Sequence, residues 1–193
     1  MSLPKLAVFG DVIERLMNRG DLRPDTRERM AWQLWLITER AGTRAVDVGC
    51  NTGVLTLYMA QLGYDMTGVD QSEPALEVAR RGAADSPSAR CRYVKSDATD
   101  LPFGRDHFDW GICTECLEHL ENPVAALREL VRVVKPGGTV YVSTPRDGLI
   151  YDPTHCQVFS RERMTEVARA AGLTPVWDDH PAHPSFLFWS AKK

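Results

Sequence analysis

Leu6, Phe9, Ile13, Leu16 and Met17 recur at helical spacing, which predicts an amphipathic first helix. Gly20 through Pro24 interrupt that periodicity. A second helix is predicted over 25–40, carrying Met30, Leu34, Trp35 and Ile37, with Gly42 placed to end it. From Arg44 onward the pattern changes to short apolar runs alternating with helical segments. Strands are predicted at 45–48, 66–69, 91–94, 108–113 and 139–143, with two more near 173–177 and 185–191.

Between the strands lie helices with legible ends. One carries Leu55, Leu57, Tyr58 and Ala60 and is closed by Gly63. The next opens on Ser72 with Pro74 in its first turn, and Asn122-Pro123 repeats that signal before Val124, Leu127, Leu130, Val131 and Val134. Pro136-Gly137-Gly138 turns the chain into the fifth strand, and Ser160 caps a last helix ending at Gly172. Alternation of this kind implies parallel strands with right-handed crossovers. The expected fold is α/β: a doubly wound, mostly parallel seven-stranded sheet with helices on both faces and an antiparallel C-terminal strand. Residues 44–193 form its core, and 1–42 are N-terminal helices contributing to a lid, all in one domain. Ligands of such sheets bind beyond the carboxyl ends of the strands, near the switch in strand order.

The residues just past each strand therefore carry the chemistry. After the first comes Asp47-Val48-Gly49-Cys50-Asn51-Thr52-Gly53, and after the second Asp70. A glycine loop opening a helix, with an acidic residue about 20 positions on, is a nucleoside-binding layout. Gly49 and Gly53 permit tight turning, and Asp70 can accept from both ribose hydroxyls. A dinucleotide site needs a glycine where Asn51 stands, so that the backbone can approach a pyrophosphate. Asn51 would crowd a phosphate but tolerates positive φ. A phosphate-free nucleoside suits the loop better, which favours S-adenosylmethionine over NAD. Asp97, after the third strand, is placed to accept from the adenine amine.

The segments VDVGCNTG, VDQS, SDATDLPF, FDWGICTECLEHLENP and LVRVVKPGGTVYVSTP stand in an order that resembles the class I S-adenosylmethionine-dependent methyltransferases, from about Ala45 onward. The resemblance implies a Rossmann-like methyltransferase fold. It also implies roles: Asp47 with the backbone of Gly49, Cys50, Asn51 and Gly53 holds the methionine part of the cofactor. Asp70 binds the ribose, Gln71 packs beside the adenine, and Asp97 with Ala98 fixes the adenine edge. Thr114 and Glu115 lie close to the sulfonium. Asp47 is alternatively a structural carboxylate. Asp109 is read as a strand anchor and Lys135-Pro136-Gly137-Gly138 as a turn without a ligand role. Trp32 and Trp35 either cover the cofactor or pack on the sheet.

Methyl transfer to a hydroxyl needs a base or a metal. Glu115, Glu118 and His119 stand at i, i+3 and i+4, on one face if the segment is helical. Two carboxylates and an imidazole suit a divalent ion (magnesium, manganese, zinc or iron), with His155 as fourth ligand. His119 and His155 are the candidate catalytic residues; His119 can also act as a base without metal, or bond only to backbone. The segment from Cys113 to Arg161 resembles the metal-dependent 2′-O-methyltransferases of small-RNA 3′ ends. Its Glu-x-x-Glu-His portion is shared by the ubiquinone-pathway O-methyltransferases. Cys113-x-x-Cys116 is not read as a zinc pair, because strand alternation buries Cys113.

Composition narrows the acceptor. At 44% hydrophobic and 25% charged the chain reads as an ordinary globular domain. Its net charge of −3 gives no bulk attraction to nucleic acid or to an anionic membrane. The apolar stretches 31–37 and 186–189 fall far short of the ~20 residues of a membrane span. No leader is read, and five scattered cysteines suit cytosolic thiols better than disulfides, so a cytoplasmic enzyme is expected. Arg23, Arg27, Arg29, Arg161 and Arg163 either bind an anionic acceptor or form solvated helix faces. The expected function is methyl transfer from S-adenosylmethionine to an oxygen or nitrogen of a small-molecule acceptor, by a monomer or homodimer. The alternatives are a metal-assisted RNA 3′-terminal 2′-O-methyltransferase, a non-catalytic S-adenosylmethionine-binding module and, disfavoured by Asn51, an NAD-dependent oxidoreductase.

Overall fold

A computed structural model of the chain describes residues 3–37, 42–146, 152–178 and 185–193. The predicted end of the second helix at Arg40, and Gly148 and Tyr151 of the loop after the fifth strand, lie outside the described residues. So do the side chains of Leu6, Phe9 and Trp35. In chain order the elements are α1 (Leu3–Met17), α2 (Pro24–Ile37), β1 (Arg44–Val48), α3 (Val54–Gln61), β2 (Asp65–Asp70), α4 (Glu73–Ala84) and β3 (Cys91–Lys95). They continue with β4 (Phe108–Thr114), a 3₁₀ turn (Leu117–His119), α5 (Pro123–Val133), β5 (Val134–Pro145), α6 (Arg161–Ala170), β6 (Val176–Trp177) and β7 (Phe186–Lys192).

The starts of α4, α5 and α6 are set by side-chain caps. Ser72 accepts from Ala75 N, Asn122 from Ala125 N at 3.0 Å, and Ser160 from Arg163 N at 3.1 Å, each satisfying a donor the helix leaves open. The strands form one sheet in the order β3-β2-β1-β4-β5-β7-β6. All neighbours from β3 to β5 are parallel, while β7 runs antiparallel to both β5 and β6. The chain winds outward from β1 to β3 and then returns to β4 beside β1, so the carboxyl ends of β1 and β4 flank the switch point.

Successive strand residues feed two cores. Val46, Val140 and Val142 face the layer containing Leu127 and Leu130 of α5 and Met164 and Val167 of α6. Ala45, Trp110, Ile112 and Tyr141 face the other layer, with Tyr58 and Met59 of α3, Leu34 and Ile37 of α2, and Val12 and Leu16 of α1. Among the described side chains of α1, Leu16 is buried and Ile13 packs against the core as predicted, while Val12 joins them and Met17 is exposed. Val134 opens β5 instead of continuing α5, and Lys135 to Gly138 are taken up where the β4–β5 register shifts between Phe108 and Trp110. The sixth strand shrinks to Val176–Trp177. Among the described residues no helix is long and apolar enough to cross a membrane.

At the end of the sheet away from the switch point, Asp109 joins three segments. Its Oδ2 accepts from Thr43 N and Arg44 N at 2.9 Å each, and its Oδ1 from Lys135 Nζ at 2.6 Å. Asp109→Ala is expected to lower unfolding free energy by about 1–3 kcal/mol, since it strands two backbone donors as well as the ammonium. Urea titration measures the loss. Asp109→Asn should recover much of it, and equal losses in the two variants would contradict this assignment.

Candidate active site

A cleft of about 730 Å³ lies across the carboxyl ends of β1 to β4, within the size range of small-molecule sites. Its floor begins at the loop after β1. Gly49 N and Cys50 N donate to Val69 O at 2.8 and 3.0 Å, tying that loop to the end of β2. Gly49 has φ +76, and a Cβ there would lie 2.5 Å from Cys116 Sγ, so only glycine fits. Asn51 has φ +48, the left-handed conformation asparagine tolerates, and its N–H donates to Asp70 Oδ2 at 2.8 Å. Ser72 N donates to the other oxygen of Asp70 at 2.8 Å. Those two bonds fix the Asp70 carboxylate and leave lone pairs for a ligand.

Asp47, Gly49, Cys50, Asn51, Asp70, Gln71, Asp97, Ala98, Thr114 and Glu115 all line the cleft. Gly53 does not. At φ +71 it precedes α3 and is packed behind the loop, where Tyr93 Oη donates to its carbonyl at 3.2 Å and a Cβ would collide with the tyrosine ring. Its backbone role is therefore to start the helix. Asp97 receives Thr99 N and Thr99 Oγ1 on Oδ1, both at 2.7 Å, and these bonds hold its pKa below the usual carboxylate value. Asp47 is only 2% exposed; burial pushes its carboxyl up to about 7, although the Thr56 hydroxyl donates to it at 2.5 Å.

The acceptor side departs from the predicted helix. Glu115 takes φ +52 in a left-handed bend, and only residues 117–119 form a single 3₁₀ turn. Glu115, Glu118 and His119 therefore do not share a helical face, which corrects that expectation. Ligand atoms of Glu118, His119 and His155 instead lie within 4.8 Å of one another, and Glu115 is outside the group. The His119 and His155 rings meet edge-on with centroids 5.0 Å apart. Cys156 N and Gln157 N donate to the Glu118 carbonyl at 2.8 and 3.1 Å, which docks the His155 segment on the turn. His119 Nδ1 lies 3.1 Å from Thr154 O. A carbonyl can only accept, so in the neutral ring Nδ1 carries the proton and Nε2 keeps its lone pair. Glu118 is 2% exposed, and burial pushes its carboxyl up to about 8. Its Oε2 has no hydrogen-bond partner among the described residues.

The third wall is α2. Leu22, Arg23, Thr26, Arg29, Met30 and Gln33 line the cleft from that side, while Leu34 and Ile37 of the same helix enter the core. Arg29 is not a solvated helix face but a cleft residue held in an ion pair. Its Nε and Nη2 donate to the two oxygens of Glu115, both at 2.7 Å, and only 7% of the residue is exposed. Gln33 adds bonds to Glu115 at 3.4 Å and to Ser143 Oγ at 3.2 Å. Sequence reasoning misses the role of Arg29 and Gln33; their one local signal is the i, i+4 spacing beside the buried Leu34. Arg161 lies 4.6 Å over the Trp177 ring and Arg27 bonds the carbonyls of Met17 and Arg19, so those two serve local packing.

Residues 46–142 match the family model described as a methyltransferase domain. The chain is 33% identical over 144 residues to a ubiquinone biosynthesis O-methyltransferase of Albidiferax ferrireducens, an alignment covering 72% of this chain and 57% of that protein. It is 39% identical over 107 residues to the enzyme of that name from Pseudomonas aeruginosa, covering 54% and 45%. The chain thus spans about half the length of the curated relatives it matches. Among solved structures, an S-adenosylmethionine-dependent methyltransferase from Aquifex aeolicus superposes with TM-score 0.71 at 17% identity, covering 83% of this chain and 87% of that one. The [4+2]-cyclase SpnF superposes with TM-score 0.75 at 22% identity, covering 91% and 85%. At these identities the likeness establishes the fold.

The raised pKa of Asp47 has a signed consequence for stability. Its folded value of about 7 lies above the ordinary 3.8, so the contribution it makes is complete below pH ~4 and is lost as pH rises through about 7. Asp47→Asn removes that loss. Melting temperatures compared from pH 5 to 8.5 should show the variant gaining on wild type as pH rises, and parallel profiles would refute the assignment.

Proposed function

The chain belongs to the methyltransferase-domain family, and on that premise we propose that it transfers the methyl group of S-adenosylmethionine to a hydroxyl oxygen of a small-molecule acceptor. One observation carries the choice of oxygen: Glu118, His119 and His155 gather at the cleft that the β1 and β2 loops also line. A neutral amine can attack without first losing a proton, whereas a hydroxyl needs help to become a nucleophile.

In this reading Asp70 binds the ribose, Asp97 with Ala98 the adenine edge, Gln71 the adenine face, and Asp47 with the loop from Gly49 the methionine end. Thr114 and Glu115 flank the sulfonium. Transfer is an in-line displacement: the acceptor oxygen bonds the methyl carbon, the carbon–sulfur bond breaks, and sulfur keeps the electron pair. Holding the two reactants in line supplies up to ~7–11 kcal/mol, so alignment is the main task of the fold. The Nε2 lone pair of His119, with its Nδ1 held by Thr154, is set to take the hydroxyl proton. His155, edge-on to it, forms the opposite wall.

Alternatively, the same three side chains suit a divalent metal, and the His119 Nε2 lone pair then goes to the ion instead of to the proton. Glu118 offers a buried oxygen with no bond among the described residues, and His119 has one ring nitrogen on a carbonyl, the arrangement typical of ligating imidazoles. Glu118, His119 and His155 would hold the ion, which when bound lowers the pKa of a coordinated hydroxyl. Both curated relatives carry O-methyltransferase in their names, which supports oxygen as the target. The five cysteines are free thiols, consistent with a cytoplasmic enzyme.

Transfer of labelled methyl from S-adenosylmethionine to a panel of phenols, catechols and amines tests the reading. Hydroxyl acceptors should turn over and amines should not. His119→Ala should lower kcat by at least about 100-fold, with affinity for S-adenosylhomocysteine changed by less than about threefold. Asp70→Ala should do the reverse, weakening S-adenosylhomocysteine binding by at least about tenfold through loss of two charge-assisted hydrogen bonds. Methylation confined to amines, or a His119→Ala variant as fast as wild type, would overturn it.

A further inference from the structure

Glu115 and Glu118 stand three residues apart in one segment, yet their carboxylates have opposite surroundings. That of Glu118 is buried, has one oxygen without a partner among the described residues, and joins the two histidines. That of Glu115 is clamped on both oxygens by Arg29. Phe186 covers the guanidinium, 4.3 Å from the ring centroid, and Gln33 bridges from Glu115 to Ser143. Glu115 lines the same cleft as Glu118, His119 and His155 but stays outside their group. To reach a cation Glu115 would have to abandon a guanidinium that is only 7% exposed and leave it without a counter-charge.

A site with two carboxylates favours hard ions such as magnesium, which prefers oxygen ligands. One carboxylate with two imidazoles favours zinc and its neighbours. Resting on the metal-assisted form of the reading above, we propose that Arg29 is a positioning residue that holds Glu115 on α2 and so keeps the ligand set at Glu118, His119 and His155, selecting a borderline transition-metal ion such as zinc over magnesium. The lid helix then sets the metal preference of a site it does not touch through any ligand of its own.

Equilibrium calorimetry of metal-stripped full chain with zinc and with magnesium decides this. Wild type should bind zinc, and Glu118→Gln and His155→Ala should each weaken it by at least about tenfold, which maps the ion to this group. Glu115→Gln should leave zinc affinity within about threefold of wild type. Arg29→Met should raise magnesium affinity by at least about tenfold, and Arg29→Met/Glu115→Gln should return it to the wild-type value. Circular dichroism and S-adenosylhomocysteine binding establish that each variant is folded; if Arg29→Met is not, Glu115→Gln alone still decides. Zinc binding weakened as much by Glu115→Gln as by Glu118→Gln overturns the proposal and leaves the metal reading standing. Unchanged magnesium affinity in folded Arg29→Met also overturns it. Zinc binding that survives Glu118→Gln, or no binding of either ion by any variant while S-adenosylhomocysteine still binds, overturns the metal reading and this proposal with it.

Discussion

The contact between Gly49 and Cys116 sets the spacing of everything in the cleft. The first opens the loop after β1, proposed to hold the methionine end of the methyl donor, and the second begins the turn that carries Glu118 and His119. They approach so closely that no side chain fits at position 49. Because β1 and β4 are hydrogen-bonded neighbours, this contact locks two loops to one rigid floor. A methyl donor and an acceptor must be aligned to within a fraction of an ångström. The sheet supplies that constraint before any ligand arrives.

Much of the architecture is legible in the sequence because hydrophobic periodicity and caps agree along the core. Ser72, Asn122 and Ser160 cap the helices they are predicted to open, and the five parallel strands stand where the apolar runs place them. Less legible are features set by tertiary contact. Val134 belongs to β5 because it pairs with Phe108, information that helical spacing does not contain. Met17 lies off the buried seam of α1 because α2 and α3 cover that helix along Val12 and Leu16.

The site shows the same division. Motif order locates the residues around the cleft, Gly53 excepted, because they stand directly at strand ends. The i, i+3, i+4 pattern around His119 misleads, since it presumes helical dihedrals that Glu115 does not have. Arg29 and Glu115 are separated by 86 positions in sequence, and a pairing at that distance leaves no local trace. The likeness to both a methyltransferase and a [4+2]-cyclase shows that this fold alone does not fix a reaction. Chemistry has to be argued from the side chains at the cleft.

Glu118 divides its labour between main chain and side chain. Its carbonyl fastens the backbone of Cys156 and Gln157, while its carboxyl faces His119 and His155. Changing the side chain thus leaves the fastening intact, and changing the sequence of 152–157 leaves the carboxyl in place. The rim of the cleft is in that sense modular: a designer seeking new acceptor scope can graft alternative segments onto one carbonyl, keeping Thr154 and His155, without disturbing the loops after β1 and β2.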